Sequence, residues 1–99
     1  MEIRKEKNGN ALILHLSGKL AIKQAQALDQ VVRTELSGIT DLTLDMTEVP
    51  YISSAGLRVL IIAQNMMDEV GGTLTITHVS EMVGSVLELT GFSDFMKIE

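Results

Sequence analysis

The chain has no cysteine and no tryptophan, a single proline, and three aromatic residues in all, Phe92, Phe95 and Tyr51. Without cysteine, disulfide staples and thiolate metal sites are excluded. With so few aromatics, the core has to be built from Leu, Ile, Val, Ala and six Met, and the exposed aromatic pair of a base-stacking platform for nucleic acid is not expected. Positive charge is also scarce: eight Lys and Arg stand against thirteen Asp and Glu, for a net charge of −5. Such a surface repels a phosphate backbone, so direct nucleic-acid binding is not expected. Long apolar runs are missing too. The longest, such as Val59-Leu60-Ile61-Ile62-Ala63, fall far short of the ~18–20 residues a bilayer requires, so no membrane insertion is expected. The N-terminus, Met1-Glu2-Ile3-Arg4-Lys5-Glu6-Lys7, is charged throughout and lacks the apolar stretch of a secretory signal. A cytoplasmic protein is the expectation.

What remains is enough for one domain spanning residues 1–99, since single domains cluster near ~100–150 residues and 45% of this chain is hydrophobic. Ile3–Lys7 reads as a charged strand, and Asn8-Gly9-Asn10 as a hairpin turn, because Asn and Gly tolerate positive φ. Ala11–Leu16 is too apolar to alternate and suggests a strand covered on both faces. From Ile22 the period changes: Ile22, Ala25, Leu28, Val32 and Leu36 step by three or four, predicting an amphipathic helix stopped by Ser37-Gly38. Leu42–Met46 alternates as a strand, and Pro50 keeps Val49–Ile52 extended. Ser53 or Ser54 caps a second helix that runs to about Val70 and closes at Gly71-Gly72. Thr73–Thr77 is a strand, Ser80 to about Thr90 a third helix with Ser80 as N-cap, and Phe95–Ile98 a short terminal strand. A hairpin followed by helix–strand alternation is an α/β pattern, with a sheet containing parallel strands and helices packed on it.

Chemistry concentrates at Tyr51-Ile52-Ser53-Ser54-Ala55-Gly56-Leu57-Arg58, where a strand's carboxyl end passes into a helix. Sites in open α/β sheets form at that edge, and free helix N–H groups there suit an anion. One serine caps the helix; one cap does not need two, so the other is free. Catalysis by that serine is not expected. The G-x-S-x-G elbow is absent, and the only histidines, His15 and His78, read as structural or surface residues. Phosphorylation fits the position better, since helix amides tolerate the anion while a partner packed there must desolvate or repel it. The second helix is apolar on two sides. Leu57, Leu60, Ile61 and Met67 form one stripe, and Val59, Ile62, Ala63, Met66 and Val70 the other, so part of it is left as a docking face. Arg58 lies at i+4 from Ser54, placed to contact a phosphate or an acidic partner. Gly71-Gly72 is a helix stop, no Gly-rich phosphate loop is present, and no cofactor is implied.

The run Leu44–Leu60 resembles the central signature of STAS domains, especially the bacterial anti-sigma factor antagonists. Leu14-His15-Leu16-Ser17-Gly18-Lys19-Leu20, Gly71-Gly72-Thr73-Leu74 and Leu87-Glu88-Leu89-Thr90-Gly91-Phe92 match other family segments in order and spacing. The resemblance implies a mixed β-sheet with an N-terminal hairpin and helices packed against it. It implies a non-enzymatic protein that binds an anti-sigma factor, often a serine kinase, and so releases a sigma factor. Phosphorylation of the loop serine by that kinase breaks the complex, and a phosphatase restores it. Counting back from Gly56 in the family's Asp-Ser-Ser/Thr-Gly motif, the acceptor falls on Ser54, with Ser53 the less favoured position. Partner contacts are expected from Ser53, Ser54, Ala55, Gly56, Leu57, Arg58 and Ile61. The chain departs from the family where its Asp falls on Ser53, its second Ser/Thr on Ala55, and the common Asp after the Gly-x-Leu turn on Ala21. The alternative reading is a constitutive STAS scaffold or adaptor subunit of a signalling or membrane-transport assembly, in which both serines are only structural.

Overall fold

The computed structural model describes residues 2–99. The chain opens with β1 (Glu2–Asn8) and β2 (Ala11–Ser17), paired antiparallel with Asn8 opposite Ala11. Gly9 turns the hairpin at φ 62°, a conformation that costs glycine nothing. Then follow α1 (Ile22–Glu35), β3 (Asp41–Glu48), α2 (Ser54–Glu69), β4 (Thr73–Thr77), α3 (Glu81–Leu89), a 3-10 turn at Phe92–Asp94, and β5 (Lys97–Ile98). The sheet runs β1-β2-β3-β4-β5, with β2 through β5 parallel.

Each of the three helices joins adjacent parallel strands, and every crossover steps the same way across the sheet. Because such crossovers are right-handed, all three helices fall on one face. The side chains agree. Leu12, Leu42 and Leu74 lie side by side across three strands, as do Leu14, Leu44 and Ile76, and all six are buried. They meet Ala25, Leu28 and Val32 of α1, Val59, Leu60, Ala63 and Met67 of α2, and Val83 and Leu87 of α3 in one cluster. The core is aliphatic apart from Met46, Met67, Met96 and one aromatic, Phe92, in keeping with the scarcity of aromatics. Lys5 Nζ donates to Glu35 Oε1 at 2.6 Å, tying β1 to the end of α1 and holding the Glu35 carboxyl below its ordinary range.

Two expectations need correcting. β2 is covered on one face only; Ala11, Ile13 and His15 are half-buried on the other. Ile13 sits between Glu6 and Thr43 on neighbouring strands, so lateral neighbours shade it without a second helix layer. The terminal strand is two residues, not four. Phe95 and Met96 both donate backbone N–H groups to the Phe92 carbonyl, which carries the turn on to Met96 before the chain can extend. Across the two apolar stripes of α2, Val59, Leu60, Ala63 and Met67 are buried, Leu57, Ile62 and Met66 half-buried, and Ile61 and Val70 exposed. With α1 beside α2 and the sheet beneath it, both stripes turn partly inward.

Candidate functional site

The two serines divide the work at the start of α2. Ser53 is the N-cap, in the extended conformation that role requires, and its Oγ accepts from the Gly56 N–H at 3.3 Å. The same hydroxyl donates to the Leu20 carbonyl at 3.1 Å. Ser54 is the first helical residue; it is exposed, and its hydroxyl makes no hydrogen bond among the described residues. The cap left open between the two serines is therefore Ser53, and the free hydroxyl belongs to Ser54.

The loop before α1 lies directly against this one. Leu20 N–H donates to the Tyr51 carbonyl at 2.9 Å, Ser53 N–H donates to the Leu20 carbonyl at 3.0 Å, and Leu20 pairs with Ile52 in an isolated parallel bridge. The N-termini of α1 and α2 are thereby brought to one rim of the sheet, and neither has an acidic residue in its first turn. Their partial positive charges converge there uncompensated. Ala21, where the resemblance places an Asp, is the N-cap of α1 and supplies no side-chain cap. Ser53, at the other lost Asp, retains the capping function without the charge.

Close packing of these loops also accounts for Gly56. A Cβ there would lie 2.8 Å from the Leu20 carbonyl oxygen and 2.8 Å from Ile52 Cγ1, closer than real contacts allow. Gly56 is buried and presents no surface, so of the residues expected to meet a partner its part is internal. Ser53, Ala55 and Leu57 are half-buried, while Ser54, Arg58 and Ile61 are exposed. Arg58 forms no ion pair among the described residues. It overhangs a groove of about 330 Å³ between α1 and α2, floored by Ala25, Val59 and Ile62 and flanked by Ile22, itself largely exposed. Asp29 and Arg33 close one side, the Arg33 Nε donating to both Asp29 carboxylate oxygens at 3.0 Å. The loop thus adjoins an apolar hollow able to take a partner side chain.

A polar network on the opposite, open face of the sheet escaped the sequence reading. His15 Nδ1 lies 2.7 Å from Asp45 Oδ2, its Nε2 lies 3.2 Å from Glu6 Oε1, and His78 Nδ1 approaches Asp45 Oδ1 at 3.5 Å. Thr47 donates to Asp45 from its backbone N–H at 3.0 Å and from its hydroxyl at 2.5 Å. The Thr47 hydroxyl bond, helped by His15 and the Thr47 N–H and opposed by burial, lowers the Asp45 pKa to about 2. The signal was the register: His15 and Asp45 pair across β2 and β3, which sequence alone does not align. Both histidines are engaged here, and among the described residues no base is bonded to Ser54. Among the described residues no three His, Cys, Asp or Glu side chains form a metal-binding group.

Comparison with known proteins agrees with this architecture. The family model described as the STAS domain matches residues 2–99. The BtrV protein of Bordetella bronchiseptica is 30% identical over 93 residues, covering 93% of this chain and 80% of the relative. The anti-sigma-B factor antagonist of Bacillus subtilis is 25% identical over 93 residues, covering 94% of this chain and 85% of the relative. The structure of the Bacillus cell-fate determinant SpoIIAA in its phosphorylated form matches with a TM-score of 0.79 over 99% of this chain and 91% of that one. Its identity is 14%, so that likeness is one of fold.

Proposed function

The chain belongs to the STAS domain family, and we propose that it is an anti-sigma factor antagonist whose binding is switched by phosphorylation of Ser54. It is a regulatory binding domain, not an enzyme. The partner we propose is an anti-sigma factor that is itself a serine kinase. Binding it frees a sigma factor in the cytoplasm; phosphorylation ends the complex, and a phosphatase renews it. The name of the Bacillus subtilis relative and the phosphorylated state of SpoIIAA both support this reading.

One observation carries it: the fold consumes the Ser53 hydroxyl and leaves that of Ser54 free at an exposed helix start. A phosphate there adds about −1.5 to −2 charges beside two converging helix N-termini. The domain accommodates the anion. A partner seated on Ser54, Arg58 and Ile61, with a side chain in the groove beside Ile22, has to desolvate it. That asymmetry makes the surface switchable without unfolding the protein.

The second reading, a constitutive STAS adaptor subunit, draws on Ser53, which keeps the cap while the acidic charge beside the acceptor is gone. One experiment separates the two. Wild-type, Ser54→Ala and Ser54→Asp proteins are used to capture partners from host lysate, identified by mass spectrometry, with circular dichroism verifying the fold of each. A kinase-like anti-sigma factor retained by wild type and Ser54→Ala but lost with Ser54→Asp is the expected result. Equal recovery of one partner by all three overturns the switch and leaves the adaptor.

A further inference from the structure

From the arrangement of charge and exposed apolar side chains on α3, we infer a second docking surface, specific for a cationic amphipathic helix of a partner protein. Met82, Val86 and Leu89 share one helical face of α3 at i, i+4 and i+7, with Met82 and Leu89 exposed and Val86 between them half-buried against the core. Leu89 is 87% exposed and Met82 55% exposed, and Phe95, just beyond the helix, is 55% exposed. Single exposed apolar residues need no explanation; three on and just beyond a helix this short do. Ser85 is small and lies within the row, leaving an open hollow walled by Glu81, Met82 and Val86. Knobs of an opposing helix fit such a hollow.

The charge around the row selects the occupant. From residue 59 through residue 96 there is no lysine or arginine, while Asp68, Glu69, Glu81, Glu88 and Asp94 all fall in that span. Glu81 and Glu88 adjoin Met82 and Leu89 along α3, Asp94 adjoins Phe95, and all three carboxylates are exposed; the nearest basic residue in sequence is Lys97. The protein's eight basic residues lie before and after this span. An anionic lipid surface or a nucleic acid is repelled by such a rim. A second copy docking through the same patch sets these carboxylates against their own kind. A helix with an apolar stripe between lysines or arginines satisfies both the row and the rim. The surface lies on α3, not on the start of α2, so it does not depend on the Ser54 reading.

The test uses the full chain and a synthetic amphipathic leucine–lysine peptide of about four helical turns, followed by fluorescence anisotropy. Controls are the same peptide with glutamate for lysine, and a scrambled peptide of identical composition. Binding of the leucine–lysine peptide alone is expected, with a loss of about tenfold or more for Met82→Ser/Leu89→Ser, since apolar anchors carry most of such an interface. Both side chains are exposed, so this variant stays folded, and an unchanged thermal midpoint verifies it. The Glu81→Gln/Glu88→Gln variant should bind more weakly, with a shallower salt dependence. Equal binding of the scrambled or the glutamate peptide, or no effect of Met82→Ser/Leu89→Ser, overturns the inference. So does self-association in sedimentation that Leu89→Ser abolishes, because it assigns the face to a second copy. Binding of wild type to phosphatidylserine vesicles through this face overturns it in favour of a membrane.

Discussion

Substituting the two serines singly separates a structural hydroxyl from a free one. Ser53→Ala removes the acceptor for the Gly56 N–H at 3.3 Å and the donor to the Leu20 carbonyl at 3.1 Å. The carbonyl keeps its bond from the Ser53 N–H at 3.0 Å, so that half of the loss is small. The Gly56 N–H has no such reserve; Gly56 is buried, and an N-cap lost there costs about 1–2 kcal/mol. For a domain of this size each kcal/mol corresponds to about 4–8 °C, so the thermal midpoint should fall by roughly 5–15 °C. Ser54→Ala should change stability by less than about 0.5 kcal/mol, since the side chain makes no hydrogen bond among the described residues and alanine is a good helix former. Ser53→Asp should stay close to wild type, because a carboxylate caps as well as a hydroxyl. Urea and thermal melts of the three variants are the assay. If Ser54→Ala loses as much stability as Ser53→Ala, the assignment of the cap, and with it the free hydroxyl, is wrong.

Two further predictions concern groups around this loop. Ala21 occupies an N-cap in the extended conformation with no side-chain acceptor, so Ala21→Asp should stabilise the domain by about 1 kcal/mol in urea melts; a neutral or destabilising result would mean the α1 start does not have this geometry. Asp45 has its folded pKa lowered from 3.8 to about 2, chiefly by the Thr47 hydroxyl bond and then by His15, so its contribution to stability is complete above the unfolded value and lost as pH falls through the folded one. Allowing for partial solvent screening, roughly 1–2 kcal/mol should disappear between about pH 4 and pH 2, and Asp45→Asn should show a correspondingly shallower loss in that window. Parallel acid limbs for wild type and Asp45→Asn would show that the network contributes nothing.

Much of the fold was legible because the local signals agree with one another. The step from period two to period three or four at Ile22, the Ser80 cap and the Thr73–Thr77 strand all lie where pattern and turn chemistry place them. Misreadings arose where tertiary neighbours decide the matter. Ile13 is apolar because two flanking strands shade it, and Phe95 is held by ring contact with Phe92 at 5.3 Å in a turn rather than a strand. At the site, the motif located the loop but could not say which serine bonds to Leu20, since that contact joins residues 33 apart in the chain. The same limit hid the His15–Asp45 pair, 30 residues apart and adjacent only through parallel register. Gly56 was legible as part of a motif, whereas its reason, the Leu20 backbone against its Cα, was not.

The departures at Ser53 and Ala21 bear on how a phosphate at Ser54 would act. A carboxylate at Ser53 would sit beside the phosphate, and at the few-ångström separations of adjacent side chains its repulsion is on the order of 1 kcal/mol in water. Ser53 caps α2 without that repulsion, and Ala21 adds no charge from the neighbouring helix start. With no acid in the first turn of either helix, the added charge meets free amides and partial positive charge on the protein side. The domain itself therefore has little reason to rearrange when Ser54 is modified. The whole cost of the charge falls on whatever lies against it. Ser54→Asp should accordingly leave the folded state and its melting almost unchanged while weakening the complex, and a variant that unfolds instead would place the switch inside the domain rather than at its interface.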